Sequence, residues 1–225
     1  MALRSDDLLD SLALADSVHA VRSSDGIIFL DIDRDAYFCV YDPRDATCHN
    51  RGPISLEAVR SQLLEQGLVA NGQQDGSRAS ARPITPLWHE APAADLRSPD
   101  ARDIARFLRA LVCATWRFRR SSFAQMIAHA QRDTARVPQF SPAPATACFE
   151  RLCLWLPFRI QCLFRSFFLL HFLRCYGLRA DWIFGVSLFP FHAHCWLADG
   201  DLLLGERIGK VEGFQTIFLI ERASA

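Results

Sequence analysis

The stretch "CLFRSFFLLHFLRCYG", residues 162–177, constrains the fold more than any other part of the chain. Leu163, Phe164, Phe167, Phe168, Leu169, Leu170, Phe172 and Leu173 cover nearly every side of a helix rather than one face. A helix that is apolar all round has to be enclosed. A bilayer would enclose it, but the run is too short and is interrupted by Arg165, His171 and Arg174, so no membrane insertion is expected. The centre of a globular fold remains. A helix over roughly 159–176, ended by Gly177, is therefore expected to lie buried against other layers.

The flanking sequence supplies those layers. Downstream, "ADWIFGVSL", "AHCWLA", "DLLLGE" and "FQTIFLI" read as strands, which makes this part a helix on an antiparallel sheet, an α+β architecture. Upstream, residues 98–133 read as helical, with Ser98 as cap and Pro99 at the first helical position. Ile104, Phe107, Leu108, Leu111 and Val112 are expected to form its apolar face. Near the N-terminus, "SVHAVRS", "GIIFLDI" and "AYFCVYD" read as three short strands, with turns at Asp25-Gly26 and "DIDRDA". A helix capped by Ser55 follows, carrying Leu56, Val59, Leu63 and Leu64 and ending at Gly67. Residues 73–98 are rich in Gly, Ser, Ala and Pro without periodicity and are expected to link a domain of residues 1–72 to one of residues 99–225.

Charge and cysteine usage narrow the function. Twenty-five basic residues balance twenty-five acidic ones, which leaves no broad cationic face for a nucleic acid. The first residues carry Asp6, Asp7, Asp10 and Asp16 through an apolar stretch, unlike a signal peptide, so a cytoplasmic location is expected. Eight cysteines without a C-x-x-C pair are then expected to be reduced thiols, most of them small buried hydrophobes.

Cys162 stands apart because it falls at the start of the buried helix. There the unpaired N–H groups and the helix dipole favour a thiolate, and the same N–H groups suit a developing oxyanion. His192 and His194 share one face of a strand. By position alone they fit satisfied edge histidines, two ligands of a metal site, or a general base for Cys162. Cys195 points to the opposite face in a regular strand. Glu206, on the next strand, is placed to accept the second N–H of His194, with Asp199 and Asp201 as alternatives in the turn. A nucleophile on a helix, a base on one strand and an orienting acid on the next is the layout of papain-like and transglutaminase-like enzymes.

These residues also carry a family resemblance. Cys162, Leu163, Arg165 and Ser166, then Leu173, Arg174, Gly177 and Leu178, then Gly185, Val186, Pro190, Phe191, Ala193, His194 and Trp196 resemble the motif series of the lasso-peptide biosynthesis B protein, a transglutaminase-like cysteine protease that removes leader peptides. The resemblance covers about fifty residues in the right order. It implies a triad of Cys162, His194 and Glu206, with His192 at a variable position; nothing in the sequence points to a required cofactor, and no metal site is expected. It departs from the family at the acid, usually Asp, which would be Glu206 here.

"GIIFLDIDRDAYFCVYD" similarly resembles strands of the fused PqqD-like leader-recognition domain, a small three-stranded sheet with winged-helix-like helices. That implies a leader strand added at Tyr37, Phe38, Cys39 and Val40. A DNA-binding use of the winged-helix likeness is set aside, because "ISLEAVRSQLLEQG" has two Glu against one Arg. The expected partners are the precursor peptide and an asparagine-synthetase-like lasso cyclase. The competing functions are an acyltransferase or transglutaminase on the same scaffold, a non-catalytic precursor-binding module, and a metal enzyme using His192 and His194.

Overall fold

The computed structural model of the chain describes residues 14–23, 26–41, 61, 63–69, 87–90, 98–132 and 140–221. Two compact units divide it: residues 1–84 with 186–192 and 215–218, and residues 85–185 with 193–214 and 219–225. Among the described residues no helix is long and apolar enough to cross a membrane.

The first unit contains an antiparallel meander of β1 (Val18–Ser23), β2 (Gly26–Asp31) and β3 (Ala36–Tyr41), in that spatial order. Ser23 pairs with Gly26 in the first hairpin, and Phe29 pairs with Phe38 in the second. That second turn is organised by Asp31, whose buried carboxylate accepts from the N–H groups of Asp33 at 3.0 Å and Arg34 at 3.2 Å. Arg34 in turn donates to the carbonyl of Gln66. Of the helix expected after Ser55, residues 61 and 63–65 are helical, and the expected start at Ser55 lies outside the described residues. Gly67 ends it with φ of 67°, and the N–H of Leu68 donates back to the carbonyl of Leu63 at 2.9 Å. Leu63 joins Val18, Ala20, Ile27, Phe29, Leu68 and Val69 in one core, whereas Leu64, expected on the same apolar side, is exposed.

The second unit is built on α1 (Ala101–Arg120), α2 (Phe123–Gln131), α3 (Ala143–Cys153) and α4 (Cys162–Arg174). α1 begins later than expected. Asp100, rather than Ser98, is its cap, in a reciprocal box with Asp103 at 2.8 and 3.0 Å. The buried stripe of α1 also differs from the expected one. Asp103, Phe107, Ala110 and Ala114 face inward, while Ile104, Leu108 and Val112 are exposed. Small residues let α1 approach α4 closely, and Asp103 enters the interior because its carboxylate accepts from the Tyr176 hydroxyl at 2.6 Å. Phe107 stands at the centre, its ring 4.9 Å from Phe168, 5.7 Å from Phe149 and 6.0 Å from Phe172.

α4 is enclosed as its composition requires: every residue from Ser166 to Leu173 is buried. It stops where expected, with Gly177 at φ of 72° and the N–H of Leu178 returning to the carbonyl of Leu173 at 3.0 Å. Burial of each large apolar side chain contributes about 1.5–3 kcal/mol, so this helix is the main hydrophobic anchor of its unit.

The second sheet has the spatial order β4-β7-β6-β5-β8, formed by β4 (His89–Glu90), β5 (Asp181–Ser187), β6 (His192–Asp199), β7 (Leu202–Leu204) and β8 (Gln215–Ile220). β6 and β7 are antiparallel, and β4 lies parallel to β7. β4 falls inside the stretch expected as a linker. His89 pairs with Leu202 and donates its N–H to the carbonyl of Asp201 at 2.9 Å. Trp196, Ala198, Ile183, Leu203 and Val211 form a core on this sheet, Val211 coming from the short helix α5 (Ile208–Val211). The α+β class read from the sequence is the class of the structure.

Candidate active site

Cys162 is the first residue of α4. Gln161 caps the helix with extended backbone and no side-chain hydrogen bond, so no capping side chain covers the first-turn N–H groups. The buried helix body fixes the position of the thiol, and the helix end supplies positive partial charge. Two motif residues behind it lock the helix to its surroundings. Arg165 donates to the carbonyl of Gly205 at 2.7 Å and to Glu150 at 3.1 Å. Ser166 accepts from the Trp182 indole at 2.9 Å and lies 3.3 Å from the Cys195 sulfur.

His194 lies on β6 and is half-buried. Its ring stacks at 5.8 Å on Trp196, which shares its face of the strand. Trp196 crosses close over β5 at Gly185, where a Cβ would come within 2.6 Å of the indole. The glycine and the tryptophan of the motif are therefore one packing unit. Only a residue without a side chain lets the indole settle there.

Glu206 does not lie on a strand as expected. β7 ends at Leu204, and Gly205, at φ of 66°, turns the chain so that Glu206 meets His194 from the loop before α5. Its Oε2 is 3.0 Å from His194 Nε2, and the side chain is 6% exposed. Lys210 reaches the other oxygen at 3.2 Å, and Arg165 lies 3.8 Å from Oε2. With Nε2 engaged by the carboxylate, Nδ1 is the ring nitrogen left for the neighbouring Cys162 thiol.

The electrostatics follow from these contacts. The Cys162 thiol is lowered to about 4, first by a hydrogen bond from Cys195 and then by the one from His194, against burial. His194 is raised to about 9 by its bonds with Cys162 and Glu206. Burial pushes Glu206 upward, but the bonds from His194 and Lys210 outweigh it and hold the carboxyl at about 2. Near neutral pH the three groups are a thiolate, an imidazolium and a carboxylate in line. Cys153, by contrast, is pushed up to about 12 by burial, so a thiol elsewhere in the unit stays inert.

The structure thus brings Cys162, His194 and Glu206 together. His192 is exposed at the start of β6, and among the described residues no group of three His, Cys, Asp or Glu side chains suits a metal ion. Tyr37, Phe38, Cys39 and Val40 lie half-buried on β3, at one edge of the first sheet, with Phe38 and Val40 packed on its core. Sequence reading missed the contributions of Cys195, which meets the nucleophile from the helix-facing side of β6, and Lys210. Nothing in the sequence marked either, since Glu206 lies before α5 rather than on it.

A nucleophile on a helix start, a base on a strand and a carboxylate beside it define a cysteine-dependent acyl-transfer site of the transglutaminase type. Residues 105–219, more than half of the chain, match the model of the transglutaminase-like superfamily, and the chain belongs to that superfamily. No curated protein matches the chain, and no solved structure does.

Proposed function

We propose that the protein is a leader peptidase of lasso-peptide maturation, hydrolysing the bond between leader and core of a ribosomally made precursor. The observation that carries the proposal is the convergence on His194 of Glu206, 3.0 Å from its Nε2, and of the Cys162 thiol, each of which raises the imidazole. In this reading the Cys162 thiolate attacks the scissile carbonyl carbon. The oxyanion is held by first-turn N–H groups of α4, that of Cys162 included. His194 gives its proton to the leaving amine, which departs as the new core N-terminus, and the leader remains as a thioester on Cys162. Water, deprotonated by His194, then hydrolyses the thioester, and Glu206 holds the imidazole in one tautomer throughout.

The small N-terminal sheet is read as the leader-recognition domain, with the leader paired along β3 at Tyr37–Val40 through main-chain hydrogen bonds. Capture of the leader raises the effective concentration of the cleavage site at the peptidase. The freed amine passes to an asparagine-synthetase-like cyclase in the cytoplasm, and no cofactor takes part.

An acyltransferase would use the same thioester and differ only in the acceptor. The test is mass spectrometry of the precursor encoded beside this gene, incubated with wild type, Cys162→Ala and His194→Ala, with and without an added primary amine. Leader release as the free acid by wild type alone supports the peptidase. Release as the amide identifies an acyltransferase, and equal release by all three proteins refutes the triad.

A further inference from the structure

The second unit holds a cavity of about 470 Å³ at the opposite end of α4 from Cys162. Twelve residues of helix separate its Arg174 wall from the nucleophile, about 18 Å at the usual rise. The volume is that of a small-molecule site. Its charge is one-sided. Arg109 and Arg117 enter from α1, Arg132 from the end of α2 and Arg174 from α4, with His129 and His171 beside them, and among the described residues no carboxylate lines it.

The arrangement is built rather than accidental. Arg174 Nη1 lies 2.8 Å from His129 Nε2, and its Nη2 donates to the carbonyls of His129 at 3.3 Å and Ala130 at 3.5 Å. A guanidinium has no proton acceptor, so His129 Nε2 accepts and its own proton sits on Nδ1. His129 stacks on buried His171 at 5.5 Å, which holds the neutral ring in place. Two helix C-termini contribute negative partial charge to this region, about half an elementary charge each. The guanidinium charges of Arg109, Arg117 and Arg132 outweigh that. Among the described residues, Arg109, Arg117 and Arg132 form no ion pair.

We infer that this cavity binds a small oxyanion carrying two or more negative charges, held between the forks of Arg109, Arg117 and Arg132, with Arg174 fixed in the wall behind them. Planar guanidiniums grip phosphate and carboxylate oxygens in pairs, so a phosphorylated or a polycarboxylate ligand shares the required chemistry. The site is distinct from the thiol and gives a role to the helical layer before α4.

The test is isothermal titration of the full chain with pyrophosphate and with citrate, at constant ionic strength set by sodium chloride. Wild type is compared with Arg109→Gln/Arg117→Gln, whose changes sit on the solvent side of α1, and with Arg119→Gln/Arg120→Gln, which removes two charges outside the cavity. Saturable binding of either anion, weakened about tenfold or more by the first pair and unchanged by the second, supports the site. The anion that binds tells a phosphate ligand from a polycarboxylate one. Failure of both anions to bind, or equal weakening by both pairs, overturns the inference. Alkylation of Cys162 by iodoacetamide, followed in the same variants, shows that the unit remains folded and that the thiol reading stands or falls separately.

Discussion

Glu206→Gln isolates what the carboxylate does for the imidazole. The amide keeps the shape and still accepts a hydrogen bond from His194 Nε2, but it removes a charge 3.0 Å from the ring nitrogen. A bare ion pair at about 4 Å in an effective dielectric near 20 is worth about 4 kcal/mol. That figure is too large here, because Lys210 at 3.2 Å and Arg165 at 3.8 Å already share the carboxylate. His194 also keeps its bond to Cys162, the first cause of its rise to about 9.

Loss of the Glu206 contribution should therefore lower the imidazolium by about one pH unit, equivalent to about 1.4 kcal/mol. The assay needs no peptide substrate. The iodoacetamide alkylation rate of Cys162, read at the level of its own peptide by mass spectrometry, should rise at about 4 as the thiolate forms. It should rise again at about 9, when loss of the imidazolium leaves a more basic and more nucleophilic sulfur. In Glu206→Gln the upper step should fall to about 8, with the lower one nearly unmoved. An upper step that stays in place would show that Glu206 does not act on His194.

Other expectations follow from the same contacts. Turnover of a cleavable substrate should follow a bell, rising through about 4 as Cys162 ionises and declining through about 9 as His194 loses its proton, and a pH profile of kcat/KM measures both limbs. Cys195→Ala removes the first cause of the low Cys162 value, so the acid limb should move up by about one unit or more, seen in the same alkylation profile. Gly185→Ala places a methyl 2.6 Å from the Trp196 indole and 3.0 Å from Phe214 Cβ. The overpacking should cost about 1–3 kcal/mol; at about 2–4 °C per kcal/mol for a chain of this size, thermal unfolding should begin several degrees lower.

The legible parts of the fold were those where one residue type has one physical use. Gly177 ended α4 because a left-handed residue is needed there, and the all-round apolar run had nowhere to go but inside. The face of α1 was misread because large side chains dominate a periodicity reading. The contact was made by Ala110, Ala114 and an aspartate whose burial depends on Tyr176, 73 residues away. β4 was invisible because two residues become a strand only through their pairing with distant β7. The same held at the site. Cys162 and His194 stood out by position and motif, whereas Glu206 was placed on a strand because nothing local announces the turn at Gly205, whose carbonyl is held by Arg165. Cys195 was assigned to the far side of its strand from His194, and a thiol that meets the nucleophile from there leaves no trace in spacing.

The enclosure of α4 has a consequence for how the molecule breathes. Backbone amides in its middle, around Phe168 and Phe172, are shut away from water on every side and should exchange their hydrogens only when the whole unit opens. Those of Cys162, Leu163 and Phe164 have no acceptor one turn earlier in the helix and should exchange within the native state. A deeply buried helix thus begins with amides that lack a helical acceptor. Under the proposed function, the Cys162 thiol meets successive peptides there while the helix that aims it stays closed.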